Sequence, residues 1–280
     1  MRERLGGHGT ELPPLKKYRG IFIKNEREIA LMREANRLGA LILDEIEDQV
    51  RPGVPTMLFE EIATRMCNDF QVKPANLGYS GFPHVLCCSI NEQVVHGFPS
   101  DRLLREGDIV SFDMGIVYEG FYSDSARTVP VGAVSEEAAR LLRVTQESLA
   151  LGIAEVRPGN DLCQVSTAIQ EHVEATGFHV VQRFVGHGIG INYHEKPEVP
   201  NFVIRRTPLL LMQGMVLAIE PMVCVGTHEV DILEDKWTAV TRDGSLSAHF
   251  EHSVAVTAQG PEILSLSSKH GGKMITALTA

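Results

Sequence analysis

The sequence predicts an α+β fold made of two related halves. Three observations support this. Helix-period segments come in pairs, and each pair is followed by strand-like, glycine-containing runs. Two Arg-Pro-Gly stops, beginning at Arg51 and Arg157, stand 106 residues apart. The stretch EGDIVSFD aligns with QGMVLAIE at an offset of 107, which sets Gly107 against Gly214 and Asp113 against Glu220. Two separate alignments with offsets one residue apart point to an internal duplication, and duplicated halves commonly build a site between them.

The elements follow in order. Residues 1–20 are rich in Gly, Pro and charge and read as a tail or arm. Their basic cluster, Lys16, Lys17 and Arg19, suits either a solvated tail or contact with a polyanion such as the ribosome. Glu26–Val50 is a helix, because Ile29, Met32, Ala35, Leu38, Ile42 and Ile46 recur at spacings of three and four. Proline and glycine stop it at Pro52-Gly53. A second helix spans Thr56–Phe70, with Thr56 as N-cap and Glu60 near its positive end. The second half repeats the plan with helices over Ser135–Val156 and Asp161–Thr176. The halves run over about 26–134 and 135–260 within one domain of residues 21–265, and residues 266–280 form a second tail.

Bulk properties exclude several classes. A net charge of −10 argues against a general DNA or RNA binder. The five cysteines are odd in number and contain no Cys-x-x-Cys pair, so reduced thiols are expected rather than a disulfide framework or zinc knuckle. The N-terminus has no apolar signal region, and no apolar run approaches the ~20 residues of a membrane span. The expected location is the cytoplasm, with no membrane partner.

Phe112–Asp124 reads FDMGIVYEGFYSD, a hairpin with an aspartate in each arm. A four-residue loop, Val117–Gly120, would set Asp113 directly opposite Asp124 on one sheet face. Like charges placed there destabilise a hairpin. The pair must then share a proton, chelate a cation, or stand in another register as solvated surface residues. Three further segments carry matching chemistry: His187 between glycines in FVGHGIGI, Glu220 at the end of the apolar run in VLAIEPMV, and Glu251 in LSAHFEHSVAV. Singly, each has an ordinary structural reading. Together they make four carboxylates and one imidazole, a donor set suited to manganese, iron(II), cobalt or zinc. Two divalent ions would balance four carboxylate charges.

At these residues the sequence closely resembles the type I methionine aminopeptidases. The resemblance rests on CCSINEQVVHG, DIVSFDMG, FYSDSARTV, GHGIG, YHEKP, AIEPMV and SAHFEHSVAVT, in that order, and spans about residues 20–265. It implies the pita-bread fold, in which two pseudo-symmetric halves share a curved, largely antiparallel sheet with helices on its outer face. It also implies a dinuclear metal site. Asp113 would chelate one ion, His187 and Glu220 the other, and Asp124 and Glu251 would bridge them.

The same resemblance implies the chemistry. The substrate is a peptide or nascent chain with an N-terminal methionine. A metal-bridging water attacks the first peptide bond, with Glu220 as proton shuttle. His194 stabilises the oxyanion and His96 holds the second-residue amide. Tyr79, Phe82, Cys87, Tyr193 and Trp237 line the methionine pocket. The enzyme is expected to be monomeric.

Two departures stand out. Ser123 replaces the family's usual glycine. Tyr193 replaces a frequent phenylalanine and adds a hydroxyl expected near the pocket entrance. Two alternatives remain: a prolidase or Xaa-Pro aminopeptidase of the same fold, and a non-catalytic binding protein. The first usually carries a large extra N-terminal domain. The second usually loses ligands, whereas all five stand here.

Overall fold

The computed structural model describes residues 16–205, 207–267 and 269. Helix α1 (Glu26–Asp48) starts at an extended Asn25. The Asn25 side chain accepts from Glu28 N at 3.0 Å, and the Glu28 carboxylate accepts from Asn25 N at 2.8 Å. This reciprocal pair satisfies two backbone donors that the first turn leaves open. The whole predicted stripe from Ile29 to Ile46 is buried. The helix stops short of the expected Val50. Gln49 and Val50 close it with tight bonds to Ile46 O and Glu47 O, because Pro52 disfavours helical backbone at Arg51.

Helix α2 (Met57–Asp69) corrects one expectation. Thr56 occupies the cap position but makes no capping bond, since its own backbone is already helical. Its hydroxyl instead accepts from Ser100 N at 2.8 Å and donates to Ser100 O at 3.0 Å. Helices α3 (Glu136–Ala154) and α4 (Leu162–Ala175) are capped by Ser135 and Asp161. Their equivalents of the first-half contacts recur. Gly53 N bonds Leu104 O at 2.8 Å, and Gly159 N bonds Leu211 O at 2.9 Å. Gly107 and Gly214 share φ values of 91° and 88°, where a side chain would be strained.

Nine antiparallel strands form the main sheet among the described residues. Its central path runs Glu195–Val199, Gly186–Gly188, Val216–Ile219, Glu251–Thr257, Phe121–Pro130, Ile109–Tyr118 and Lys73–Pro74. The outer face carries the helices. Phe112, Met114 and Ile116 pack with Leu38, Ile42 and Phe59 of α1 and α2. Leu217, Ile219 and Val254 pack with Leu141, Ile153 and Ile169 of α3 and α4. Each such side chain, fully buried, contributes roughly 1.5–3 kcal/mol. Alternation along the strands turns Asp113, Asp124 and Glu251 to the opposite face, away from the helices.

The central hairpin corrects the expected register. Tyr118 pairs with Phe121, Gly115 with Asp124, and Asp113 with Ala126. The loop is the two-residue turn Glu119-Gly120, with φ of 48° and 82° at those positions. Such left-handed turns suit the twist of antiparallel strands better than the four-residue loop expected. Asp113 and Asp124 are therefore diagonal neighbours, not opposed ones. The correction is two positions, so side-chain parity survives and both carboxylates stay on one face.

Part of the expected N-terminal tail is structured. Lys16–Tyr18 pairs with Ile21–Ile23, and Lys17 Nζ lies 4.3 Å from the Phe22 ring centroid. The cation–aromatic contact across the pair favours this hairpin over a solvated arm. Residues 1–15, 206, 268 and 270–280 lie outside the described residues. No described helix is long and apolar enough to cross a membrane.

Candidate metal centre

The five expected ligand residues line one cavity on the inner face of the sheet. Neighbouring strands explain the convergence. Asp113 pairs with Ala126, which pairs with Glu251; His187 pairs with Ala218, two residues before Glu220. The glycines flanking His187 serve close approach. A Cβ on Gly186 would collide with Ala218 O, and one on Gly188 with Lys196 O. Ligand atoms of Asp124, His187 and Glu251 lie within 4.8 Å of one another. His187 Nε2 is 3.5 Å from Asp124 Oδ2 and 3.6 Å from Glu220 Oε1. His187 Nδ1 stands 3.0 Å from Gly188 O, a pure acceptor, so Nδ1 carries the proton and Nε2 offers its lone pair to the cavity.

The electrostatics call for a cation. Burial pushes the carboxyls of Asp113, Glu220 and Glu251 well above their usual range, and the neighbouring Asp124 charge adds to this. Glu251 Oε1 is buried without a hydrogen-bond partner. Among the described residues, no lysine or arginine pairs with any of the four acids. Buried acids without counter-charge are costly. An oxygen-rich set with one imidazole lone pair fits a divalent metal ion.

A pH dependence follows. Raised carboxyl pKa values mean that the ion-free fold holds protons that the unfolded chain releases. Its stability is therefore greatest below the ordinary values, 3.8 for Asp and 4.5 for Glu, and declines as pH rises above them. Thermal denaturation in chelator should give a lower Tm at pH 8 than at pH 5. An ion-free Tm that is flat or rising over that interval contradicts the arrangement.

Beside the acids lies the aromatic group expected for the methionine pocket. Phe82 packs edge-on against Trp237 with centroids 5.1 Å apart, and Tyr79 lies edge-on to Tyr193 at 5.2 Å. Cys87 is buried in the same cavity, and burial pushes its thiol pKa well up. His194 stacks on Tyr79 with centroids 5.0 Å apart and lies 4.0 Å from the His187 ring. Burial, then the neighbouring His187, holds its pKa down to about 4, so it is neutral at pH 7. His96 is also lowered by burial and packs between Phe184 and Trp237.

Both sequence departures are resolved. Ser123 faces α1, where a Cβ on Gly39 would stand 3.2 Å from its Oγ; it accepts from Ile116 N and does not face the cavity acids. Tyr193 is only 5% exposed, so its hydroxyl is not at the pocket entrance as expected. The tight turn after Gly190 folds the ring inward, stacked on Tyr122.

Sequence reasoning missed three residues. Asn76 and Ser80 line the cavity, brought there by a loop with no local signal. His249 Nε2 is 3.7 Å from Glu220 Oε2, and both of its ring nitrogens are buried without a hydrogen-bond partner. Its place two residues before Glu251 was a usable signal, because that spacing puts both side chains on one side of an extended chain.

A family model described as metallopeptidase family M24 matches residues 30–258. This chain belongs to metallopeptidase family M24. A relative named methionine aminopeptidase, from Clostridium perfringens, is 50% identical over 246 residues, covering 88% of this chain and 99% of that protein. Methionine aminopeptidase 1 of Bacillus subtilis is 45% identical, with coverage of 87% and 98%. The crystal structure of a methionine aminopeptidase from Thermotoga maritima superposes with a TM-score of 0.86 at 44% identity, covering 88% of this chain and all of that one. A prolidase from Pyrococcus furiosus shares the fold at a TM-score of 0.69 and 20% identity, but the match covers only 66% of its chain. The pita-bread expectation therefore holds, and M24 membership makes this chain a metal-dependent hydrolase.

Proposed function

We propose that this chain removes the N-terminal methionine from peptides and nascent proteins. The observation that carries the reading is the junction of two features in one cavity: four carboxylates with a free imidazole lone pair, and an aromatic, thiol-lined recess beside them. Near-complete coverage of proteins named methionine aminopeptidase supports it.

Asp113, Asp124, His187, Glu220 and Glu251 would hold two divalent ions, drawn from manganese, iron, cobalt or zinc. Ions there supply Lewis acidity toward a carbonyl and acidify water. The residues do the rest. The aromatic recess of Tyr79, Phe82, Cys87, Tyr193 and Trp237 takes the thioether side chain, since a soft sulfur packs well against rings. His96 accepts from or donates to the second-residue amide. Glu220 receives the proton released by the attacking water and passes it to the leaving amine. His194, neutral at pH 7, donates to the oxygen on which charge develops.

Nascent chains are made in the cytoplasm, so this substrate implies a cytoplasmic enzyme. It would act as a monomer. A prolidase-type activity is the rival reading, and it is weakened by identity: 20% to the prolidase against 50% to the protein named methionine aminopeptidase. Purified protein supplied with manganese(II) or cobalt(II) should release methionine from Met-Ala-Ser and leave an Ala-Pro peptide intact. Cleavage of the Ala-Pro peptide alone would overturn the assignment.

A further inference from the structure

The hydroxyl of Tyr193 has a role that neither the fold nor the pocket explains. It lies 3.1 Å from Asp124 Oδ1 and 3.1 Å from Asn76 Oδ1. It has one proton and two acceptors. Asn76 Oδ1 already accepts from Gly115 N at 2.9 Å, which fixes the amide with its oxygen toward the tyrosine. A metal-ligating carboxylate is a stronger acceptor than an amide oxygen, so on that reading the hydroxyl donates to Asp124. The other carboxylate oxygen, Oδ2, is the one 3.5 Å from His187 Nε2. One oxygen of Asp124 is thus tethered while the other faces His187 across the cavity.

The seat of this hydroxyl is built. A Cβ on Gly115 would fall 2.8 Å from the Tyr193 oxygen, so the glycine of DMG leaves the space that the hydroxyl fills. The ring is clamped against Tyr122, Tyr79 and His194. The adjoining Glu195 fixes the loop from below. It accepts from Lys24 at 2.6 Å with both side chains buried, and from the amides of Ile191 and Asn192. A buried pair held by further hydrogen bonds keeps a loop in one geometry.

We propose that Tyr193 is a positioning residue for the metal centre, holding Asp124 through its hydroxyl so that the carboxylate meets its ion in a fixed orientation. This rests on the reading of Asp124 as a metal ligand. Partners that orient a ligand typically change metal affinity or activity by about 10–100-fold when removed.

The test uses metal-stripped full-length protein titrated with manganese(II) by isothermal titration calorimetry, together with steady-state cleavage of Met-Ala-Ser. Tyr193→Phe keeps the ring and its stacking and loses only the hydroxyl. It should keep the wild-type number of ions, bind them roughly tenfold or more weakly, and lose more activity at limiting than at saturating manganese. Wild-type manganese affinity in Tyr193→Phe, or a change confined to KM, overturns the proposal and leaves the ring as pocket wall. Asp124→Asn separates the two levels. If it loses manganese binding while Tyr193→Phe does not, the positioning role fails and the ligand reading stands. If Asp124→Asn binds manganese like the wild type, the ligand reading fails and takes the proposal with it.

Discussion

Asparagine at position 124 should abolish methionine release, lowering kcat/KM on Met-Ala-Ser by about 10³-fold or more, in a protein that still folds. The magnitude follows from Lewis-acid stabilisation of several kcal/mol, at about 1.4 kcal/mol per tenfold in rate. Asp124 Oδ2 stands at the centre of the cluster, 3.5 Å from His187 Nε2, and its charge raises the pKa of Asp113, Glu220 and Glu251. Neutralising it removes the acid that all the others feel. The ion-free variant should therefore be at least as stable as the ion-free parent, because the charge that pushes the other three carboxyls up is gone. Tyr193 can still donate to an asparagine oxygen, so the local packing persists. Cleavage assays and a thermal melt in chelator check both halves. Wild-type turnover would remove Asp124 from the metal centre.

Alanine at position 194 should lower kcat by roughly 10²–10³, the usual loss on removing one donor to a developing oxyanion. His194 reaches the cavity from the same tight loop as Tyr193 and lies on Tyr79 beside His187. Its imidazole is neutral at pH 7, so it offers a fixed hydrogen bond without adding a cation that would compete with a metal ion. Manganese stoichiometry should be unchanged in His194→Ala, since the four carboxylates and His187 remain. Loss of bound metal together with activity would show that His194 supports the ions rather than the transition state.

Much of this architecture was legible in the sequence because it is local. The stripe from Ile29 to Ile46 has helical period, and Arg-Pro-Gly punctuates both halves. Exact register was less legible. A four-residue loop and a two-residue turn both fit VYEG, and only left-handed φ at Glu119 and Gly120 decides between them. Side-chain parity survived that error, so the paired-acid inference did too. What stayed hidden is long-range. Nothing near Tyr193 in the chain shows that its hydroxyl meets Asp124 and Asn76, 69 and 117 residues away. Thr56 was misjudged for the same reason, since its hydroxyl serves Ser100, 44 residues on. The expected tail up to residue 20 was shortened by a contact no composition rule sees, Lys17 over Phe22.

On the reading proposed above, four clustered acids and His187 hold metal ions that support peptide hydrolysis. The most direct measurement is methionine release from Met-Ala-Ser by chelator-stripped protein, before and after manganese(II) or cobalt(II) is restored, with bound metal counted in each sample. The stripped protein should release no methionine, and activity should recover in step with bound ion, up to about two per chain. Full activity in protein shown to be metal-free, or no activity with any restored ion, would contradict it.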